Sequence, residues 1–316
     1  MKLRLGRKVK LIFGTFFVSL LSLVLMGELL MRLLTSSYIN FDIDERNLLY
    51  QHDDTLGWLP VMNSCHNFLG SNEILVHNNS VGFRDIEHPK KSNKHRIAFL
   101  GDSFVWGYDV NAEDRFTELL RSELPDVEIV NLGVSGYGTD QEYLLLKKVF
   151  DNILPDEVVL IITPNDKSDN SSNMRYGGYY KPYFLLKNKE LDLSGIPVPK
   201  SLNHYHSRFP NLTRSRLVQF VAKAISPKSI EVDEQTIELI QAIHTFLSIN
   251  NSRLILAFTE ETELAIYQTE LDQLEIPFIS VENEFVYPTH GNHWTPEGHR
   301  LVSQIIMNFI EHQHKN

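Results

Sequence analysis

Cysteine is almost missing. Cys65 stands alone in 316 residues, so no internal disulfide is available and the fold must rely on its apolar core. Low-complexity tracts and internal repeats are absent as well, which excludes a solenoid. With 42% apolar and only 22% charged residues, the composition also excludes a disordered chain. No Walker A sequence occurs, and the glycines at 133, 136 and 138 in "NLGVSGYG" do not fit G-x-G-x-x-G, which argues against nucleotide binding. The elbow pattern G-x-S-x-G and the zinc pattern H-E-x-x-H are missing too. Acidic residues are absent from the first ten positions, where Lys2, Arg4, Arg7, Lys8 and Lys10 contribute +5. The net charge of −10 therefore leaves about −15 for the rest of the chain, which disfavours nucleic acid as a partner.

Behind those cations runs "LIFGTFFVSLLSLVLMG", Leu11–Gly27, with no charge, and then "ELLMRLL" to Leu34. As one helix, 11–34 spans roughly 36 Å, enough to cross a bilayer, with Glu28 and Arg32 at the far interface. No small-residue cleavage site follows the apolar run and no cysteine is placed for lipid attachment, so the reading is an uncleaved signal anchor rather than a signal peptide. Cations before the span put residues 1–10 in the cytoplasm and everything after Leu34 outside, in the periplasm or cell exterior beyond the cytoplasmic membrane.

Residues 35–94 are rich in turn formers and charges, as in "HDDTLGW", "HNNSVGFRD" and "HPKKSNKHR". They read as a stalk that returns to the body through a short strand at Ile74–His77. From 95 to 316 the pattern is regular. Apolar runs "RIAFLG", "VEIVNLG", "EVVLIIT", "RLILAF" and "PFISV" predict strands, and helical spacing follows in "DRFTELLRSEL", "DQEYLLLKKVF", "EQTIELIQAIHTFLS", "ETELAIYQTELDQL" and "PEGHRLVSQIIMNFIEH". This alternation predicts an α/β fold, a three-layer sandwich around a mainly parallel, flavodoxin-like sheet, preceded by one N-terminal transmembrane helix. An insertion at about 167–231 interrupts it and carries a possible hairpin, "YFLLKNKELDL", and an amphipathic "RLVQFVAKAI" that suits a membrane surface or a lid.

Sites in such sheets lie at the C-terminal strand ends. There the chain places "GDSFVWG", "GVSGYGT", "PNDKSDN" and, near its end, "HGNHWTPEGH". Ser103 sits two residues past its strand, where a serine is ordinarily a helix cap. His293 supplies a base and Gly136 and Asn165 supply N–H donors on the same edge, which raises a nucleophile reading. His290, His293 and His299 invite a zinc reading, but His299 is six residues from His293 and just inside a helix opened by Pro296, so no metal or other cofactor is expected. His299 reads instead as a half-buried residue of that helix.

In order and position, "FLGDS", "NLGVSG", "PND" and "HWTPEGH" resemble the four blocks of the SGNH/GDSL hydrolase family, over about 96–166 and the C-terminal third. The upstream "LGW" and "NNSVGFRD" resemble membrane-anchored bacterial members. The resemblance implies Ser103 as nucleophile, His293 as general base, and an oxyanion hole made by the N–H groups of Ser103 and Gly136 with the Asn165 side chain. It makes Asp102 and Asp166 structural. Members usually carry an acid three residues before the histidine; this chain has His290 there, so orientation of His293 falls to His290, a backbone carbonyl, or an acid such as Glu282 or Glu284. Trp294, Tyr176, Tyr179 and Tyr180 are candidates for a sugar-binding groove, with a surface lid or cap as the alternative. The expected activity is an esterase acting on O-acyl, especially acetyl, groups of envelope carbohydrate. Transfer of that acyl group to a sugar, or a catalytically weak glycan-binding protein of envelope polysaccharide assembly, are the alternatives.

Overall fold

A computed structural model describes residues 6–39, 49–90, 92–175, 178–289 and 291–315. The chain divides into two compact units, Met1–Asp42 with Ser201–Lys228, and Ile43–Lys200 with Ser229–Asn316.

In the first unit, helix α1 (Arg7–Leu34) is long and apolar enough to cross a membrane, and among the described residues its most apolar window is not buried. Its partners come from far along the chain. The second unit opens with two antiparallel hairpins, β1 (Tyr50–Asp53) with β2 (Gly57–Pro60), and β3 (Cys65–Leu69) with β4 (Glu73–His77). Leu49, Leu56, Trp58, Phe68, Ile74 and Val76 belong to the main core, so residues 49–77 are part of the body, not of a stalk. Strands of four and five residues separated by turn formers are too short to show a period, which is why the segment reads as irregular.

The sheet begins at β5 (His95–Leu100), followed by the one-turn α2 (Ser103–Trp106) and α3 (Phe116–Glu123). Then come β6 (Val127–Asn131), α4 (Thr139–Ile153), β7 (Glu157–Ile162) and the short α5 (Asp166–Asn170). Two small antiparallel pairs follow, β8 (Met174–Arg175) with β9 (Tyr179–Tyr180), and β10 (Tyr183–Lys187) with β11 (Glu190–Ser194). The second turns at Asn188 and Lys189, with φ of 54° and 69°, the left-handed geometry of a tight two-residue hairpin loop. The chain next enters the first unit with α6 (Pro210–Thr213) and α7 (Arg216–Ile225). Back in the second unit it closes with α8 (Thr236–Ile249), β12 (Arg253–Phe258), α9 (Glu261–Gln273), β13 (Phe278–Ser280) and α10 (Pro296–Lys315).

All five central strands are parallel, in the spatial order β13-β12-β7-β5-β6. Counted along the sheet from β6, that is the doubly wound order 2-1-3-4-5, whose direction reverses between β5 and β7. The three inner strands β5, β7 and β12 are buried on both faces, hence their nearly unbroken apolar runs. Val158, Leu160 and Ile162 of β7 face a cluster with α4, α8 and α9, while Val159 and Ile161 face one with α3 and α10. Cutting a fully buried Leu160 to alanine would cost about 2–5 kcal/mol.

Candidate active site

The reversal between β5 and β7 leaves a crevice at the strand ends, and Ser103 stands there. Its position follows from a tight turn: Asp102 Oδ1 accepts from the Phe104 N–H at 3.0 Å, and the Gly107 and Tyr108 N–H groups both donate to the Ser103 carbonyl. The turn closes on Gly107, at φ +82°, where a Cβ would lie 2.2 Å from Arg115 Cδ. Beyond it, two buried guanidinium groups take up carbonyls that one turn of helix cannot satisfy. Arg84 donates to the carbonyls of Leu75, Trp106, Gly107 and Val110, and its guanidinium lies 4.9 Å over the Trp106 ring. Arg115 donates to the carbonyls of Arg84 and Trp106; burial pushes its pKa down to about 10, so it stays cationic at neutral pH.

His293 arrives from the loop after β13. That loop is pinned as a miniature hairpin, with the Tyr287 N–H donating to the His293 carbonyl, the Thr295 N–H to the Phe285 carbonyl, and a bridge pairing Val286 with Trp294. The imidazole Nε2 lies 2.7 Å from Ser103 Oγ. Both side chains are nearly buried, 8% exposed for Ser103 and 7% for His293, so the bond is shielded from water yet reachable. The Tyr108 ring stacks on the imidazole at 4.4 Å and 22°, and Phe104 leans on it at 5.1 Å. Sequence reasoning did not single out Tyr108, Arg84 or Arg115. For Tyr108 the signal was an aromatic five residues after the serine; for the two arginines, 31 positions apart with a charged stretch between them, the sequence carried none.

The loop after β6 runs beside the nucleophile turn, the Val134 N–H donating to the Gly101 carbonyl. A Cβ on Gly133 would come within 2.3 Å of the Trp106 nitrogen, so these loops touch through bare backbone. Gly136 follows at φ +82°, a conformation that penalises any side chain by about 1–2 kcal/mol. Among the described residues, the N–H groups of Ser103 and Gly136 donate to no protein acceptor.

Asn165 stands after β7, as expected, but its amide is engaged. Nδ2 donates to Asp102 Oδ2 at 3.1 Å and to Asp169 Oδ2 at 2.9 Å, while Oδ1 accepts from Thr163 Oγ1. Behind it lies an acid-rich layer. Asp166 Oδ2 accepts from the Thr163 N–H, Asp169 pairs with Arg175, and the fully buried Lys181 pairs with Asp140. Burial, reinforced by the neighbouring charge of Asp102, drives the Asp166 carboxyl far above the ordinary range. Glu142, fully buried beside the same carboxylates, is driven up likewise.

The remaining candidates separate. His299 is entirely buried rather than half-buried, stacked on Phe116, with Nδ1 accepting from the Phe116 N–H at 3.4 Å; its ring belongs to the core. Trp294, Tyr179 and Tyr180 are 2%, 1% and 5% exposed. Trp294 packs edge-on against Phe104 and Tyr179 against Trp58, so their faces are spent on packing and line no groove. Glu282 accepts from the Glu261 N–H, at the start of α9. Tyr176 and His290 lie outside the described residues.

No family model and no curated protein matches the chain. Solved structures do. A lipolytic protein of the G-D-S-L family from Desulfitobacterium hafniense DCB-2 is 14% identical with a TM-score of 0.42, over 68% of this chain and 99% of that one. The psychrotrophic esterase EstA from Pseudoalteromonas sp. is 10% identical with a TM-score of 0.43, over 71% and 100%. A carbohydrate acetylesterase family member from Sinorhizobium meliloti is 14% identical with a TM-score of 0.38, over 68% and 96%. Likeness at this level says nothing of what this chain acts on.

Proposed function

We propose that the chain is a membrane-anchored serine hydrolase of the SGNH/GDSL type that cleaves an ester through an acyl-enzyme. The observation that carries this reading is the 2.7 Å contact between Ser103 Oγ and His293 Nε2 at the sheet's switch point. Such a bond lets Ser103 pass its proton to the imidazole as Oγ attacks the substrate carbonyl. The oxyanion formed is met by the backbone N–H groups of Ser103 and Gly136. His293 then returns the proton to the leaving alcohol, the C–O bond breaks, and water activated by the same imidazole releases the acid. The burial of Ser103 and His293, with the Phe104 and Tyr108 rings packed on the imidazole, favours a small acyl group such as acetyl. The anchor, with five cations before it, favours a body outside the cytoplasm, where O-acylated envelope carbohydrate is the substrate class.

One observation favours a second reading. Both N–H groups of the Asn165 amide are held by carboxylates, so the third oxyanion donor is not presented, as suits a catalytically weak protein that binds glycan during envelope assembly. Turnover of a small acetyl ester by the full chain in detergent, with Ser103→Ala as control, separates the two. The hydrolase reading expects Ser103→Ala to lose about 10³-fold or more, and equal rates would refute it. Labelling of Ser103 by a fluorophosphonate gives an independent check.

A further inference from the structure

Residues 201–228 carry five cations, Arg208, Arg214, Arg216, Lys223 and Lys228, and not one acid, within a chain whose net charge is −10. This segment forms one compact unit with α1. The joint is Glu28, one residue past the uncharged run of α1. Its carboxylate accepts from Ser215 Oγ at 2.6 Å and from the N–H groups of Arg216 and Leu217 at the start of α7, while Arg32 pairs with it from the next turn. An acid at a helix N-terminus is well placed electrostatically. At the end of a bilayer span, the same contacts spare it from facing hydrocarbon unpaired. Nearby, Leu217 packs 3.5 Å from where a Gly27 Cβ would stand.

Helix α7 is amphipathic, and it is turned the wrong way round for a water-soluble protein. Gln219, on its polar side, is 2% exposed and bonds to the Thr213 carbonyl, Ser37 Oγ and the Tyr38 N–H. The opposite side shows Phe220, Val221 and Ile225, 47%, 49% and 79% exposed. At helical spacing these three share a face with Leu217, which meets α1. Phe209 and Leu212, just before α7, are exposed as well. A groove of about 640 Å³ between Leu217 and Leu23, Val24 and Leu30 of α1 joins the two apolar surfaces. Polar side in and apolar side out, continuous with the lipid-facing surface of a spanning helix, is the arrangement expected where the surrounding medium is lipid. The cations flank that face: Lys223 lies over the Tyr38 ring and Arg208 over Phe209.

We infer that residues 201–228 form a second membrane contact, in which α7 lays Phe220, Val221 and Ile225 into the outer interface of the bilayer crossed by α1, and Arg208, Arg216 and Lys223 meet anionic phospholipid headgroups. This rests on the anchoring part of the proposed function and is independent of the chemistry at Ser103. The occupant of the face is the bilayer.

The test uses the full chain with Cys65→Ser and one environment-sensitive fluorophore on Phe220→Cys or Ile225→Cys, in nanodiscs of phosphatidylcholine and phosphatidylglycerol. Phe17→Cys in α1 and Asn188→Cys in the β10–β11 turn serve as lipid and solvent controls. The expected result is blue-shifted emission at 220 and 225, quenched by lipids spin-labelled near the headgroup. That quenching should fall by about half in pure phosphatidylcholine or with Arg208→Gln and Lys223→Gln combined. If position 17 is quenched but 220 and 225 behave as 188 does, the second contact is refuted and the anchor stands. Blue-shifted emission without lipid quenching means protein covers the face, which also overturns the proposal. Absence of quenching at 17 as well refutes the anchor itself. Loss of quenching in neither phosphatidylcholine nor the double variant overturns the headgroup part.

Discussion

His299 should make the protein acid-labile by a calculable amount. Burial pushes its pKa from 6.5 down to about 3, with the nearby cations Arg115 and Arg84 adding to the effect. The folded chain therefore keeps the ring neutral, whereas the unfolded chain takes up a proton below about pH 6.5. Because the unfolded state binds more protons between the two values, stability must fall as pH drops through that window. For these pKa values the loss between pH 7 and pH 5 is about 2 kcal/mol. His299→Phe keeps an aromatic ring against Phe116 and Trp294 but has nothing to protonate. It loses the acceptor for the Phe116 N–H, about 1 kcal/mol at every pH. Thermal unfolding of the full chain in detergent, followed by circular dichroism from pH 7 to pH 5, reads the difference. The wild-type midpoint should fall about 4–8 °C further than that of the variant. Parallel curves would show that the ring is not held neutral by burial and would refute the reasoning.

Glu142→Gln has the opposite signature. The folded pKa of Glu142 lies far above its unfolded value, so its contribution is intact below about pH 4.5 and erodes as pH rises toward the folded pKa; the variant should gain stability over wild type at pH 8 and none at pH 4 in the same melts. Arg84→Met strands the buried Gly107 and Val110 carbonyls beside the nucleophile turn, while Trp106 keeps its bond from Arg115, and should cost about 3 kcal/mol in urea titration. Arg84→Lys, lacking the planar fork, should recover less than half of that. Tyr108→Ala removes the stack on His293 and should lower kcat/KM on an acetyl ester about two- to tenfold, with a lowered melt because the ring also packs on Phe68 and Trp106. Tyr108→Phe should recover most of the rate; equal losses in both variants would tell against positioning by the ring.

How far the sequence could be read depended on whether the deciding contacts were local. The inner strands announce themselves because both their faces are buried, and β12 occupies the very residues, 253–258, that its apolar run predicts. The strand ends place Ser103, Gly136 and Asn165 on one edge for the same reason, and the 2.7 Å contact brings His293 to the first of them. The failures are of another kind. Residues 49–77 reach the core through short hairpins whose few apolar residues carry no visible period. Tyr179, Tyr180 and Trp294 are aromatic in either role, and only packing decides between groove and core. The engagement of Asn165 by Asp102 and Asp169 could not be read, because the bond to Asp102 spans 63 positions. Nor could the membership of 201–228 with α1, which depends on a single acid finding a helix start in a distant segment.

That last pairing has a timetable. Glu28 and Ser215 are 187 residues apart, and a ribosome adding about 5–20 residues per second needs roughly 10–40 s to cover the gap. During that interval α1 is already available to the bilayer while the hydroxyl and N–H groups that will hold its carboxylate have not been made. On the proposed anchoring, insertion of α1 would have to tolerate Glu28 with only Arg32 beside it, and the first unit can be completed only after three of the five sheet strands have emerged. A chain truncated before residue 215 would carry the anchor in a state that the finished protein never shows.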